Sequence, residues 1–136
     1  MRKAQLMIEY LIILVLMLIL FNSISMDLIS TSQEDAGRLQ TAEMVNSSKM
    51  ILLDAYKTIS LQGSGAKKTV TLRAPPDCAY VQSQNTISLD CIYGTPSADY
   101  DGTVITPTGT VPGVTFTISG GTIESGKLGT VTISKS

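Results

Sequence analysis

The chain of 136 residues contains no histidine. That absence removes the commonest general base near neutral pH and the commonest transition-metal ligand. There are only two cysteines, too few for a structural zinc site of the usual kind. Charge is sparse: Asp, Glu, Lys and Arg make up 15% of the chain, and the formal net charge is −1. Beyond Lys67-Lys68 there is no basic run and no interleaving of bases with aromatics, so the electrostatic footprint of a nucleic-acid binder is missing. This inventory predicts no catalytic residue, no metal site, no cofactor and no nucleic-acid partner.

What is present is unevenly distributed. Apolar residues crowd the N-terminal end, while Thr, Ser and Gly dominate the C-terminal half, which splits the chain in two. Arg2 and Lys3 precede a segment from Leu6 to Phe21 in which Glu9 is the only charge. These sixteen positions make a helix about 24 Å long at about 1.5 Å per residue, short for a hydrocarbon core of about 30 Å. Arg2 and Lys3 predict a cytoplasmic N-terminus with everything after Phe21 sent outward. A secretory signal peptide with small residues at Ser23 and Ser25 suits the same segment, and so does a plain signal anchor. Neither accounts for a carboxylate at the entry to an apolar run, where burying a charge is expensive.

The run Lys3-Ala4-Gln5-Leu6-Met7-Ile8-Glu9-Tyr10, followed by apolar residues, resembles the class III signal of archaeal type IV pilins. In that family a short basic leader ends in a small residue, here Ala4, and Gln5 corresponds to the first mature position. Glu9 and Tyr10 correspond to the fifth and sixth. Met7 departs from the family pattern, which usually has Ser there. The resemblance implies cleavage between Ala4 and Gln5 by a prepilin peptidase, with the apolar helix retained on the mature chain. Loss of the leader charges Arg2 and Lys3 would leave eight bases against eleven acids. It further implies that Glu9 faces the free N-terminal amine of its own or a neighbouring subunit, an opposite charge that offsets the cost of desolvation. The bland alternative for Glu9 is a solvated residue at the level of the lipid headgroups.

From Ile24 to Leu61, apolar residues including Leu28, Leu39, Val45, Leu52, Tyr56 and Ile59 recur at spacings of mostly three and four. They predict an amphipathic helix continuing the first, over 5–61, with residues 5–21 as its hydrophobic part. Unbroken, it would be about 85 Å long and would need partners along its outer length. Bends are expected near Asn22-Ser23, Ser30-Thr31-Ser32 or Gly37, where side chains compete for the backbone or helix propensity is low. Asn46-Ser47-Ser48 fits the acceptor pattern for N-glycosylation at Asn46, although three-residue matches are common by chance.

Gly63-Ser64-Gly65-Ala66 ends the helical pattern, so 62–68 is expected to be a linker. The following Lys67-Lys68-Thr69 is not the end of a phosphate-binding loop, since position 60, where the first Gly would stand, is Ser60. Beyond it the period becomes two: Thr69 to Leu72, Ala79 to Val81, Thr86 to Leu89 with an extension to Tyr93, Thr103 to Ile105, Val114 to Ile118 and Thr130 to Ile133. Pro and Gly punctuation separates these strands. A small antiparallel sandwich-like domain is predicted over 69–136, its apolar face formed by Val70, Leu72, Val81, Ile87, Leu89, Ile118, Val131 and Ile133. Cys78 and Cys91, with twelve residues between them and downstream of an apparent export signal, are expected to form a disulfide; two buried free thiols are the alternative. Asp99-Tyr100-Asp101-Gly102 reads as a surface turn, because a calcium loop needs further oxygen ligands and a terminal Glu that the sequence does not supply.

The expected fold is therefore α+β: leader 1–4, a long N-terminal helix, and a β headgroup. The resemblance implies a subunit of an extracellular filament, a helical homopolymer of this chain. It would be inserted in the cytoplasmic membrane as a precursor, then handled by the prepilin peptidase and the assembly machinery, and would serve surface adhesion. The competing reading is a secreted or singly anchored β-domain that binds a ligand alone.

Overall fold

The structure, a computed structural model, describes residues 2–109 and 111–136, with side chains from Gln5 onward. It is an α+β fold: one long helix, α1 (Arg2–Ser60), followed by six strands in two antiparallel sheets. By internal contacts the chain divides into two units, residues 1–36 and residues 37–136.

In the first unit the expected weak points do not interrupt the helix. The Ser23 and Ser25 hydroxyls donate to the carbonyls of Ile19 and Phe21 at 3.1 and 2.7 Å, and Thr31 donates to Asp27 at 2.9 Å. Each hydroxyl is satisfied by the preceding helical turn, so it does not compete for the next one. The apolar surface consequently extends past Asn22, with Ile24, Met26, Leu28 and Ile29 all exposed. That extension removes the shortfall in length suggested by the sixteen-residue run: α1 is long and apolar enough to cross a membrane.

In the second unit, the part of α1 from Gly37 to Ser60 buries one row: Thr41, Val45, Ser48, Leu52, Ala55 and Ile59. These spacings of three and four keep the row on one face. The row differs from the expected stripe at Leu39, which is 66% exposed. The strands are β1 (Lys67–Arg73), β2 (Cys78–Ser83), β3 (Thr86–Cys91), β4 (Val114–Ile118), β5 (Thr122–Ile123) and β6 (Leu128–Lys135). One sheet has the order β1-β6-β4 and the other β3-β2-β5. Residues 103–105 make only a bridge, Ser88 to Val104, and Pro96–Tyr100 is a short 3-10 helix that the sequence pattern had not indicated.

Both sheets share one core with the helix: Leu72, Phe116, Ile118, Val131 and Ile133 from the first, Tyr80, Ile87, Leu89 and Ile123 from the second. On β2 the inward phase is Cys78 and Tyr80, with Val81 only half-buried, so the expected inward residue was one position out. A one-residue shift in a strand reverses every side chain. Gly129 of β6 lies so close to Ile123 that a Cβ built there would collide with the Ile123 side chain.

The outer edge of β4 is closed by side chains. Gln82 donates from Nε2 to the Phe116 carbonyl (3.0 Å) and accepts from the Ile118 N–H (2.7 Å). Asn85 donates from Nδ2 to the Val114 carbonyl (2.9 Å) and accepts from the Phe116 N–H (2.7 Å). Two amides of the β2–β3 hairpin thereby act as a surrogate strand, joining the two sheets and blocking an edge that would otherwise invite pairing with another chain. The helix C-terminus is closed by the Lys135 ammonium, which donates to the carbonyls of Ser60 and Gln62 at 2.8 Å each. A cation suits the negative end of the helix dipole.

The apolar helix as candidate functional site

Every side chain from Leu6 to Phe21 is exposed within the single chain, the apolar ones by 44 to 77%. Glu9 is the only charge among them, and it has no hydrogen-bond or ion-pair partner among the described residues. Tyr10 is exposed on the next position. Exposed apolar surface of this extent, with a charge at one end, is unstable in water and must be covered by lipid or by protein. The leader residues Arg2, Lys3 and Ala4 lie outside the residues whose side chains are described, as does the Ala4 side of the expected cleavage point; Gln5 is exposed.

The remaining candidates lie in the second unit. Cys78 and Cys91 are bonded to each other, facing one another directly across β2 and β3. Asn46 is exposed on α1, but Ser48, two residues on, is buried and its Oγ accepts a hydrogen bond from the Tyr80 hydroxyl at 2.8 Å. Burial holds the Tyr80 phenol above its ordinary range, with the Ser48 contact a smaller opposing influence. No linear pattern points to this pair, because it needs a strand of one sheet and a helix turn thirty-two residues earlier to meet.

Asp99 and Asp101 do not converge on a cation site. Asp99 pairs with Arg38 at 3.6 Å, and Asp101 accepts the Cys91 N–H at 2.9 Å through Oδ1. With the contact between the Thr41 and Ser97 hydroxyls (2.8 Å), and with Pro96 packed 3.3 Å from where a Gly37 Cβ would stand, the Arg38 pair docks the 3-10 helix on the headgroup part of α1. Gly37, weak as a helix former, is explained by that close approach. Among the described residues no group of three or more His, Cys, Asp or Glu is placed to hold a metal.

Scans against protein-family models, curated proteins and solved structures found no match to this chain. The functional reading therefore rests on the residues themselves.

Proposed function

We propose that this chain is the structural subunit of an extracellular filament of the type IV pilus kind, which waits in the membrane through its apolar helix and then packs that helix against copies of itself. The observation that carries the reading is the single carboxylate, Glu9, at the entry to the run from Leu6 to Phe21, whose apolar side chains are all exposed in the single chain. A lipid anchor needs only the apolar side chains, and its design would omit the charge. A bundle of identical helices gives the charge a purpose, since each Glu9 can meet an N-terminal amine created by cleavage before Gln5. Because lipid tails are as apolar as the helix, the gain on leaving the membrane comes from packing and from this pairing.

On this reading Arg2 and Lys3 form the removable leader, the membrane houses the precursor, and the disulfide-closed β headgroup is the outward surface available for adhesion. The tests are direct. N-terminal sequencing of the exported protein should find Gln5 first; a start near Met26 refutes the reading in favour of a secreted domain, and an intact Met1 refutes it in favour of an anchor. Glu9→Gln should leave membrane insertion intact and abolish filaments, and normal filaments from that variant would overturn the role given to Glu9.

A further inference from the structure

Between the headgroup part of α1 and the segment that follows β3 lies a cleft of about 330 Å³, lined by Lys49 and Leu53 of the helix and by residues 104–108. Lys49 and Leu53 stand one helical turn apart and so share a face. The opposite wall is anchored on both sides of the cleft. The Ile105 N–H donates to the Ile87 carbonyl at 2.9 Å, and the Val111 N–H donates to the Tyr56 hydroxyl at 2.7 Å. The walls are thus set by the fold before any ligand arrives, and the volume reaches the lower end of the range usual for small-molecule sites.

Two polar side chains of the cleft have no partner among the described residues. Lys49 makes no ion pair or hydrogen bond. Of the cations in that state it is half-buried, whereas Lys57 and Lys67 are exposed. Thr106 is only 5% exposed, and its hydroxyl has no hydrogen bond either. No fully buried side-chain polar atom among the described residues lacks a partner, so the small exposure left to Thr106 includes its hydroxyl, and the cleft is the space that Thr106 lines. The rest of the lining is apolar apart from Thr108, and it includes no carboxylate.

We propose that this cleft binds a hydroxylated carboxylic acid about as large as one sugar unit, with its carboxylate on Lys49, a hydroxyl on Thr106 and its apolar face on Leu53, Ile105 and Pro107. A neutral ligand would leave a half-buried ammonium without a counter-charge, which is costly. A phosphate carries nearly two charges and is strongly hydrated; the cleft offers it one cation and a mainly apolar wall. An acid without a hydroxyl would cover Thr106 and leave its hydroxyl unpaired. A short hydroxy acid and a uronic-acid unit of a polysaccharide share the chemistry that remains. The inference stands on the headgroup alone and is independent of how the apolar helix is used.

The experiment titrates the full chain, disulfide intact and in detergent micelles, with sodium glucuronate, sodium lactate and glucose, and follows the amide resonances. Glucuronate or lactate should give saturable shifts centred on Lys49, Leu53 and residues 104–108, and glucose should give none there. Tighter binding of glucuronate assigns the site to a sugar-acid unit, and tighter binding of lactate to a free hydroxy acid; either supports the proposal. No saturable shift with both acids, or glucose binding as tightly as glucuronate, overturns it. Lys49→Gln should weaken binding by about tenfold or more, while Lys57→Gln, an exposed cation about two turns further on, should leave it unchanged. Equal losses in the two variants would mean that net charge alone attracts the acid, and would overturn the site. Thr106→Val, nearly equal in volume, should weaken binding by about fivefold with the headgroup resonances otherwise in place. Undiminished binding by that variant overturns the role of the hydroxyl; should it fail to fold, the Lys49→Gln and Lys57→Gln pair still decides the site.

Discussion

The pair formed by Tyr80 and Ser48 allows a quantitative test of how the headgroup is held on its helix. Both side chains are buried, and the phenol donates to the serine oxygen at 2.8 Å. Ser48→Ala removes the acceptor but leaves the Tyr80 hydroxyl in the same apolar surroundings. An orphaned buried hydroxyl costs about 1–3 kcal/mol, more than the roughly 1 kcal/mol net worth of the bond. Tyr80→Phe should cost less, since a helical Ser can turn its hydroxyl to the carbonyl four residues back, here Met44. The double variant should then be less destabilised than the sum of the singles, with a coupling of about 1 kcal/mol. Chemical denaturation of the full chain in detergent micelles, followed by tyrosine fluorescence and circular dichroism, measures all four corners of the cycle. Asn46→Gln, which destroys the same glycosylation pattern without touching the pair, is the control and should be neutral. Strict additivity, or a Ser48→Ala cost indistinguishable from that control, would refute the reasoning. The same burial predicts a pH effect. Because the folded phenol holds its proton more tightly than the unfolded one, its contribution is whole below the unfolded value of about 10 and is lost as pH rises above it toward the folded value. Tyr80→Phe should lose less stability than the unaltered protein over that window.

Three other perturbations probe different parts of the fold. Gln84 begins the two-residue turn between β2 and β3 with φ at 53°, so Gln84→Gly should stabilise by up to about 1 kcal/mol, read as a shift in denaturation midpoint. Gly129→Ala should destabilise by about 1–3 kcal/mol, because Ile123 is buried and cannot yield the space without displacing the core. Reducing the Cys78–Cys91 bond opens a loop closed across thirteen positions and should cost about 3 kcal/mol through the unfolded state, measured by denaturation with and without reductant.

The shift of helical to alternating periodicity near residue 62 made the α+β architecture legible, since a period of 3.6 or 2 is imposed by backbone geometry and needs no knowledge of the rest of the chain. Five of the six strands were readable for that reason, from the runs around Val70, Tyr80, Ile87, Phe116 and Val131. The exceptions are short or depend on partners. Thr122–Ile123 is a strand only because Tyr80 and Val81 lie beside it, and Pro96–Tyr100 becomes a 3-10 helix against the Gly37 turn. Leu39 and Val45 are alike in hydropathy, and only the position of the sheets decided which would be buried.

The candidate site divides the same way. Glu9 in an apolar run and the two cysteines are properties of the chain read in a line, because they depend on which residues are there and how far apart they lie. The amides of Gln82 and Asn85 replacing a strand, the Tyr80 phenol on Ser48, and the exposure of Leu39 belong to the tertiary structure. Each requires segments distant in sequence to meet, and the free energy of such meetings is set by shared burial, which no local pattern contains.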